Sequence, residues 1–191
     1  NFWKNKTDLV TGHTGFKGSW MSLILKKNGA NVIGFSKDIP TKPSMYEIAS
    51  VKDGITNIIG DINDSKHINQ VFSENKPDIV IHMAAQAIVR ESYKNPLETF
   101  STNVIGTVNL FEAVRLTPSV KVAINITSDK CYKNNEWIWG YRESDPMGGK
   151  DPYSASKGAS EIITSSYISS FFTNEGTANI ASVRAGNVIG A

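Results

Sequence analysis

The chain has 191 residues, 40% of them hydrophobic and 20% charged, enough apolar material for one buried core and not the makeup of a membrane or disordered chain. Lysine and arginine number 20 against 18 aspartate and glutamate, and a net charge of +2 gives no general attraction to nucleic acid or anionic lipid, so any phosphate recognition must be local. The single cysteine, Cys131, cannot close an internal disulfide, and neither Asn1-Phe2-Trp3-Lys4 nor any later run reads as a signal peptide or membrane span, so a cytoplasmic setting is expected.

Leu9 and Val10 read as the end of a first strand, followed by the glycine-rich turn Thr11-Gly12-His13-Thr14-Gly15-Phe16-Lys17-Gly18. Glycines spaced by three let the chain bend sharply after a strand, let bare backbone approach a ligand, and leave room for a helix to pack on the sheet. The free amides of a helix start favour an anion in front of them. In that helix Phe16, Trp20, Leu23 and Ile24 supply an apolar stripe, the face a surface helix turns to its core, with Lys26 and Lys27 in the last turn and Gly29 ending it. A tight strand–helix turn with no ligand is the plainer alternative.

Asn31 to Ser36 reads as a second strand, Lys37 to Ser44 as a loop with Pro40 and Pro43, and Ile55 to Ile59 as a third strand closed by Gly60-Asp61. Asp64 can cap a helix carrying Ile68, Val71 and Phe72, ending near Asn75-Lys76-Pro77. Ile79, Val80, Ile81 and Met83 form the nearly unbroken apolar run of a strand covered on both faces. A long helix is expected from about Pro96 to Arg115, a fifth strand from Val120 to Ile126, and a loop from Trp137 to Pro152. A helix over about Ser154 to Phe172 and a sixth strand over about Asn179 to Arg184 complete the pattern. Strands alternating with helices at this spacing predict an α/β fold, a Rossmann-type doubly wound parallel sheet.

Ligands of such sheets lie across the carboxyl ends of the strands. The residues expected there are the glycine turn, Asp61-Ile62, the small pair Ala84-Ala85 with Gln86, and Thr127-Ser128-Asp129-Lys130. Each alone is an ordinary capping or packing residue; four such groups on one edge are harder to dismiss. Tyr153 and Lys157 stand four apart at a helix start, on one face. A phenol, with a pKa near 10, becomes a base at neutral pH only with roughly 4 kcal/mol of help, to which a nearby ammonium contributes. Ser128 could hold or relay the proton of a substrate hydroxyl, and Asp129 with Lys130 offer an acid and a base. A solvated charge pair is the plain reading of the last two, as packing is for Trp137, Trp139 and Tyr141, which could otherwise line a sugar or base pocket. No metal-ligand set is read.

Taken together, the glycine triplet, Asp61-Ile62, Ala84-Ala85-Gln86, Asn103, Ser128, and Tyr153 with Lys157 resemble the extended short-chain dehydrogenase/reductase family, from about Asp8 to Gly190. The most specific stretches are Gly12 to Trp20, Thr127 to Tyr132 and Asp151 to Lys157, and they look most like the sugar-nucleotide 4,6-dehydratases. Lys130 stands where dTDP-glucose enzymes carry a glutamate and matches the branch that takes CDP-glucose. The resemblance implies catalytic roles for Ser128, Asp129, Lys130, Tyr153 and Lys157. It implies NAD contacts from Gly12, Thr14, Gly15, Phe16, Lys17, Gly18, Ser36, Asp61, Ile62, Ala84, Ala85, Gln86, Asn103, Thr127, Tyr153 and Lys157, and sugar-nucleotide contacts from Gln86, Ser128 and Asn187. It also implies a homodimer through the two long helices.

Two departures from the family pattern stand out. Ser36 and Lys37 occupy the place of the acid that selects NAD, with Asp38 slightly late, and a lysine beside a serine would suit the 2′-phosphate of NADP. NAD is expected from the branch. Family members also continue into a substrate-binding lobe, so these 191 residues are expected to be the dinucleotide-binding part of a longer enzyme. A related epimerase or reductase, which needs the Tyr/Lys pair but not Asp129, and a non-catalytic dinucleotide-binding module are the alternatives.

Overall fold

The computed structural model describes residues 2–189; Gly190, the last residue of the resembling stretch, lies outside them. Six parallel strands form one sheet in the order β3-β2-β1-β4-β5-β6, the doubly wound arrangement expected. They are β1 (Thr7–Thr11), β2 (Asn31–Ser36), β3 (Thr56–Ile59), β4 (Ile79–His82), β5 (Val122–Ile126) and β6 (Asn179–Val183). The helices are α1 (Phe16–Lys27), α2 (Met45–Ile48), α3 (Ser65–Asn75), α4 (Val89–Lys94), α5 (Pro96–Phe100), α6 (Gly106–Arg115) and α7 (Pro152–Phe171).

The apolar runs of the central strands are buried on both faces, as a parallel sheet requires. Leu9, Ile33, Phe35, Val80 and Ala123 face Ile68, Val71 and Phe72 of α3 and Leu110, Ala113 and Val114 of α6. On the opposite face Val10, Val32, Ile79 and Ile81 pack with Leu25 of α1. The Asp64 carboxylate caps α3, accepting from the amides of Lys66 (3.1 Å) and His67 (3.0 Å).

The expected stripe on α1 is corrected. Phe16, Trp20 and Ile24 are 41%, 38% and 51% exposed, and the buried face consists of Gly18, Ser19, Ser22 and Leu25. The glycine turn brings α1 so close to β1 that a Cβ at Gly18 would collide with the Gly12 carbonyl. Only small side chains fit there, and the buried hydroxyls are satisfied locally: Ser19 donates to the His13 carbonyl (3.1 Å) and Ser22 to that of Gly18 (2.8 Å).

The long helix expected over 96–115 is continuous but carries a π-helical turn at Ser101–Ile105 between α5 and α6. Its Asn103 side chain accepts from the Gln86 amide (2.8 Å) and donates to the Gln86 carbonyl (3.0 Å) and to Ser156 (2.8 Å), joining the end of β4 to α7. Helix α7 starts at a cap on Asp151 and turns a polar face inward. There Ser160 and Thr164 each accept from the Asn125 amide at 2.9 Å. Among the described residues no helix is long and apolar enough to cross a membrane.

Candidate active site

Strand order reverses between β1 and β4, and a crevice opens at their carboxyl ends. Gly12 turns the chain there with φ +74°, and a Cβ on it would lie 2.7 Å from the Ala84 nitrogen. Thr11 stitches the two strands together, its hydroxyl accepting from the amides of Met83 and Ala84 (both 3.1 Å) and pairing with His82 Nδ1 (2.7 Å). Burial, with the Lys157 charge nearby, pushes the His82 imidazole down to about 3, so it is neutral.

The crevice is a cavity of about 600 Å³. Gly12, Thr14, Gly15, Phe16, Lys17 and Gly18 line it from the first turn, Ser36, Asp61 and Ile62 from the ends of β2 and β3, and Ala84, Ala85 and Gln86 from β4. Gly186, Asn187 and Val188, just past β6, close another side. Gly15 is the N-cap of α1 and offers no side-chain cap, leaving the first helical amides to an outside acceptor. A Cβ on Gly15 would touch only the Gly12 carbonyl, at 3.4 Å, so bare backbone faces the space. This cradle fits the pyrophosphate of a dinucleotide.

At the rim, Ser36 Oγ pairs with His13 Nδ1 (2.9 Å). The Lys37 ammonium lies 3.4 Å from both Asp61 and Glu98. The bond and charge of Asp61, then Glu98, raise the lysine above its ordinary range. Burial acts to raise the Asp61 carboxyl, but bonds from Asn63 and Lys37 outweigh it and hold the group below its usual range.

The residues expected to be catalytic sit beyond the end of β5. Ser128 caps a 3-10 turn, Asp129–Cys131, accepting from the Lys130 amide (3.1 Å) and donating to Asp129 Oδ1 (3.0 Å). Tyr153, in the first turn of α7, stands near enough to Ser128 for that hydroxyl to act on the phenol. Burial raises the phenol above 10, the Ser128 hydroxyl opposes this, and Asp129 and Asp151 add to the rise. One turn on, Lys157 is buried with Nζ 3.4 Å from the Ile126 carbonyl. Burial, then the charge of Lys17, lowers its ammonium to about 8. Half-exposed Asp129 and Lys130 form an ion pair at 3.5 Å.

Tyr153, Lys157, Ser128, Asp129 and Lys130 are not among the residues that line the crevice. They adjoin it through Lys17, whose charge reaches Lys157, and through Gly186, where a Cβ would lie 3.8 Å from Asp129. Thr127 and Asn103, also expected at the cofactor, do not line the crevice either. The buried Thr127 hydroxyl donates to Glu161, and the Asn103 side chain is occupied by Gln86 and Ser156. Trp137, Trp139 and Tyr141 stack along one another beside Tyr132, away from the crevice lining. The Glu161–Arg184 ion pair at 2.9 Å, beneath the turn, has little sequence signal, since a glutamate four residues after a lysine on a helix reads as a solvated pair.

The geometry has close parallels. The chain is 54% identical, over its whole length, to the CDP-glucose 4,6-dehydratase of Salmonella typhimurium, of which it covers 54%. It matches 95% of its length, at TM-score 0.81 and 25% identity, to 52% of a UDP-glucose 4-epimerase from Brucella ovis solved with NAD. A Thermus thermophilus UDP-glucose 4-epimerase in complex with NAD aligns at TM-score 0.78 and 29% identity, over 93% of this chain and 54% of that one. The chain thus spans about half the length of the relatives it matches. With residues 9–185 fitting the GDP-mannose 4,6 dehydratase family profile, the chain belongs to that family of extended short-chain dehydrogenases/reductases.

Proposed function

We propose that this chain is the dinucleotide-binding and catalytic part of a longer enzyme, an NAD-dependent dehydratase that converts CDP-glucose to CDP-4-keto-6-deoxyglucose. The observation that carries the reading is the placing of the Tyr153 phenol near Ser128, one helical turn from buried Lys157, beside a crevice whose glycine turn fits a pyrophosphate. Whole-length identity to a CDP-glucose 4,6-dehydratase supports the substrate, and relatives solved with NAD support the cofactor. So does Lys37: its charge is already engaged by Asp61 and Glu98, and those carboxylates would repel the 2′-phosphate of NADP.

The cradle on Gly12, Gly15 and Gly18 would hold the pyrophosphate, with Asp61 toward the adenine. Bound there, the nicotinamide would accept hydride from C4 of the sugar and return it to C6. Tyr153, ionised with the help of the Lys157 ammonium and the ring's positive charge, takes the proton of the C4 hydroxyl while Ser128 holds that oxygen. The 4-keto group acidifies the C5 hydrogen. Lys130 assists its removal while Asp129 gives a proton to the departing C6 hydroxyl, so that one water leaves across C5 and C6, and C5 takes up a proton again when hydride reaches C6. Gln86 and Asn187, which line the crevice, would meet the sugar nucleotide. Exposed Leu97, Ile105 and Ile162 on the α5–α6 run and α7 support a homodimer through these helices, and the buried free thiol of Cys131 supports a cytoplasmic setting.

Incubating the full-length protein with CDP-glucose and NAD tests the reading. A product with the base-dependent absorbance of a 4-keto sugar supports it. Unchanged CDP-glucose, with dTDP- or GDP-sugars converted instead, overturns the substrate.

A further inference from the structure

Glu161 lies one turn beyond Lys157 on α7 and is 5% exposed. One of its oxygens accepts from Thr127 Oγ1, the other from Ser182 Oγ (2.8 Å) and Arg184 Nη2 (2.9 Å). Arg184 extends the chain of contacts, its Nη1 donating to the Tyr132 hydroxyl (2.8 Å) and to the Glu143 carbonyl (3.1 Å). Thr127 immediately precedes Ser128, and Tyr132 immediately follows the turn Asp129–Cys131. Both ends of the segment that carries the acid and the base are therefore tied to one ion pair, with Glu161 buried and Arg184 half-buried. The residue after Arg184 adds a third tie, the Ala185 carbonyl accepting from the Asp129 amide at 3.2 Å.

Burial works to raise the Glu161 carboxyl, yet the bonds from Arg184, Thr127 and Ser182 outweigh it and keep the group below its usual range. A largely buried pair of this kind is weak evidence for stability, and in some proteins its role is to fix geometry. The geometry it fixes here is unequal. Tyr153 and Lys157 are held in the first turns of α7, which start at the cap on Asp151, whereas the far end of the 128–131 segment meets Arg184 through the Tyr132 hydroxyl, alongside backbone bonds from Gly148 to the Cys131 carbonyl and from Lys133 to the Pro146 carbonyl (both 2.8 Å).

We infer that Arg184 and Glu161 are positioning residues for elimination: they aim Asp129 and Lys130 at the sugar while leaving oxidation at C4 to the Tyr153 helix. This rests on the dehydratase reading above. It predicts a split between steps, because a general acid misplaced by about 1 Å loses roughly 100-fold in rate while hydride transfer beside it continues. A purely structural ion pair would lower both steps together.

The test uses the full-length protein with Arg184→Met, and with Tyr132→Phe, which removes the hydroxyl but leaves the Glu161–Arg184 pair in place. On mixing with CDP-glucose, Arg184→Met should accumulate reduced cofactor, read by its near-ultraviolet absorbance, while kcat for the 4-keto-6-deoxy product falls roughly 10- to 100-fold and KM stays within about threefold. Tyr132→Phe should show the same accumulation more weakly, with an unchanged melting temperature, and it decides the matter if Arg184→Met fails to fold. Unchanged turnover in both variants, or cofactor reduction slowed as much as product formation, overturns the inference. If the parent enzyme forms no product from CDP-glucose, the dehydratase reading itself fails and takes the inference with it.

Discussion

Replacing Asp8 with asparagine should stabilise the fold, and by an amount that grows with pH. Asp8 sits in the middle of the sheet, opposite Val32 of β2 and Ile79 of β4, with no exposed surface. Neither carboxyl oxygen has a hydrogen-bond partner among the described residues. Burial first, then the charge of Asp78, raises its pKa to about 6 against an ordinary value of 3.8, with Lys6 only partly offsetting them. The folded state therefore holds a proton that the unfolded chain releases between those two values. Stability is at its fullest below about 4 and is lost as pH rises toward about 6, remaining low above. A shift of about 2 units corresponds to about 3 kcal/mol. Urea denaturation of the parent and Asp8→Asn at a series of pH values from about 4 to 8 reads the difference directly. The two should be nearly equal at the acid end and separate by about 3 kcal/mol above pH 6, the variant being the more stable. A gap that stays constant across the range, or that closes as pH rises, would refute the reasoning.

Other expectations concern the site and the packing beside it. Tyr153→Phe should leave NADH binding, measured by fluorescence, within about threefold of the parent while the full-length enzyme loses at least about 100-fold in turnover; unchanged turnover would instead favour a non-catalytic module. Lys157→Met should raise stability near pH 7 by up to about 3 kcal/mol even as it removes activity, because a buried ammonium lowered to about 8 is carried at a cost. That gain should shrink as pH rises from about 8 toward 10.5, where the lysine is neutral in both states, and chemical denaturation across that interval checks it. On α1, Trp20→Gln should change the stability of this chain by less than about 0.5 kcal/mol, whereas Leu25→Ala should cost about 2–5 kcal/mol. The opposite ranking would restore the aromatic stripe as the packed face.

The six strands are legible in the sequence because parallel strands need apolar runs, and Val32–Phe35 and Ile79–Ile81 supply them; the observed ends differ by a residue or two. The glycine turn and the cap on Asp64 are legible for the same kind of reason, since particular backbone geometries demand particular residues. Helix α1 misleads because hydrophobic periodicity assumes that the largest residues face the core, while close approach at Gly18 admits only serines and glycine. The π turn at 101–105 has no periodic signature of its own, and short α4 is hidden between two stronger signals. Tyr153 and Lys157 are visible through their spacing, but the ties of Thr127 and Tyr132 to Glu161 and Arg184 join residues dozens of positions apart. No local pattern marks such a pairing, and only the assembled sheet brings it together.

The proposed dehydratase runs an internal redox cycle, in which the hydrogen taken from C4 is the one delivered to C6. CDP-glucose carrying deuterium at C4, turned over by the full-length protein with unlabelled NAD in ordinary water, measures this step directly. The 4-keto-6-deoxy product should carry that deuterium in its C6 methyl group. A methyl group whose added hydrogen comes from solvent, with the deuterium of C4 lost from the sugar, would contradict this cycle.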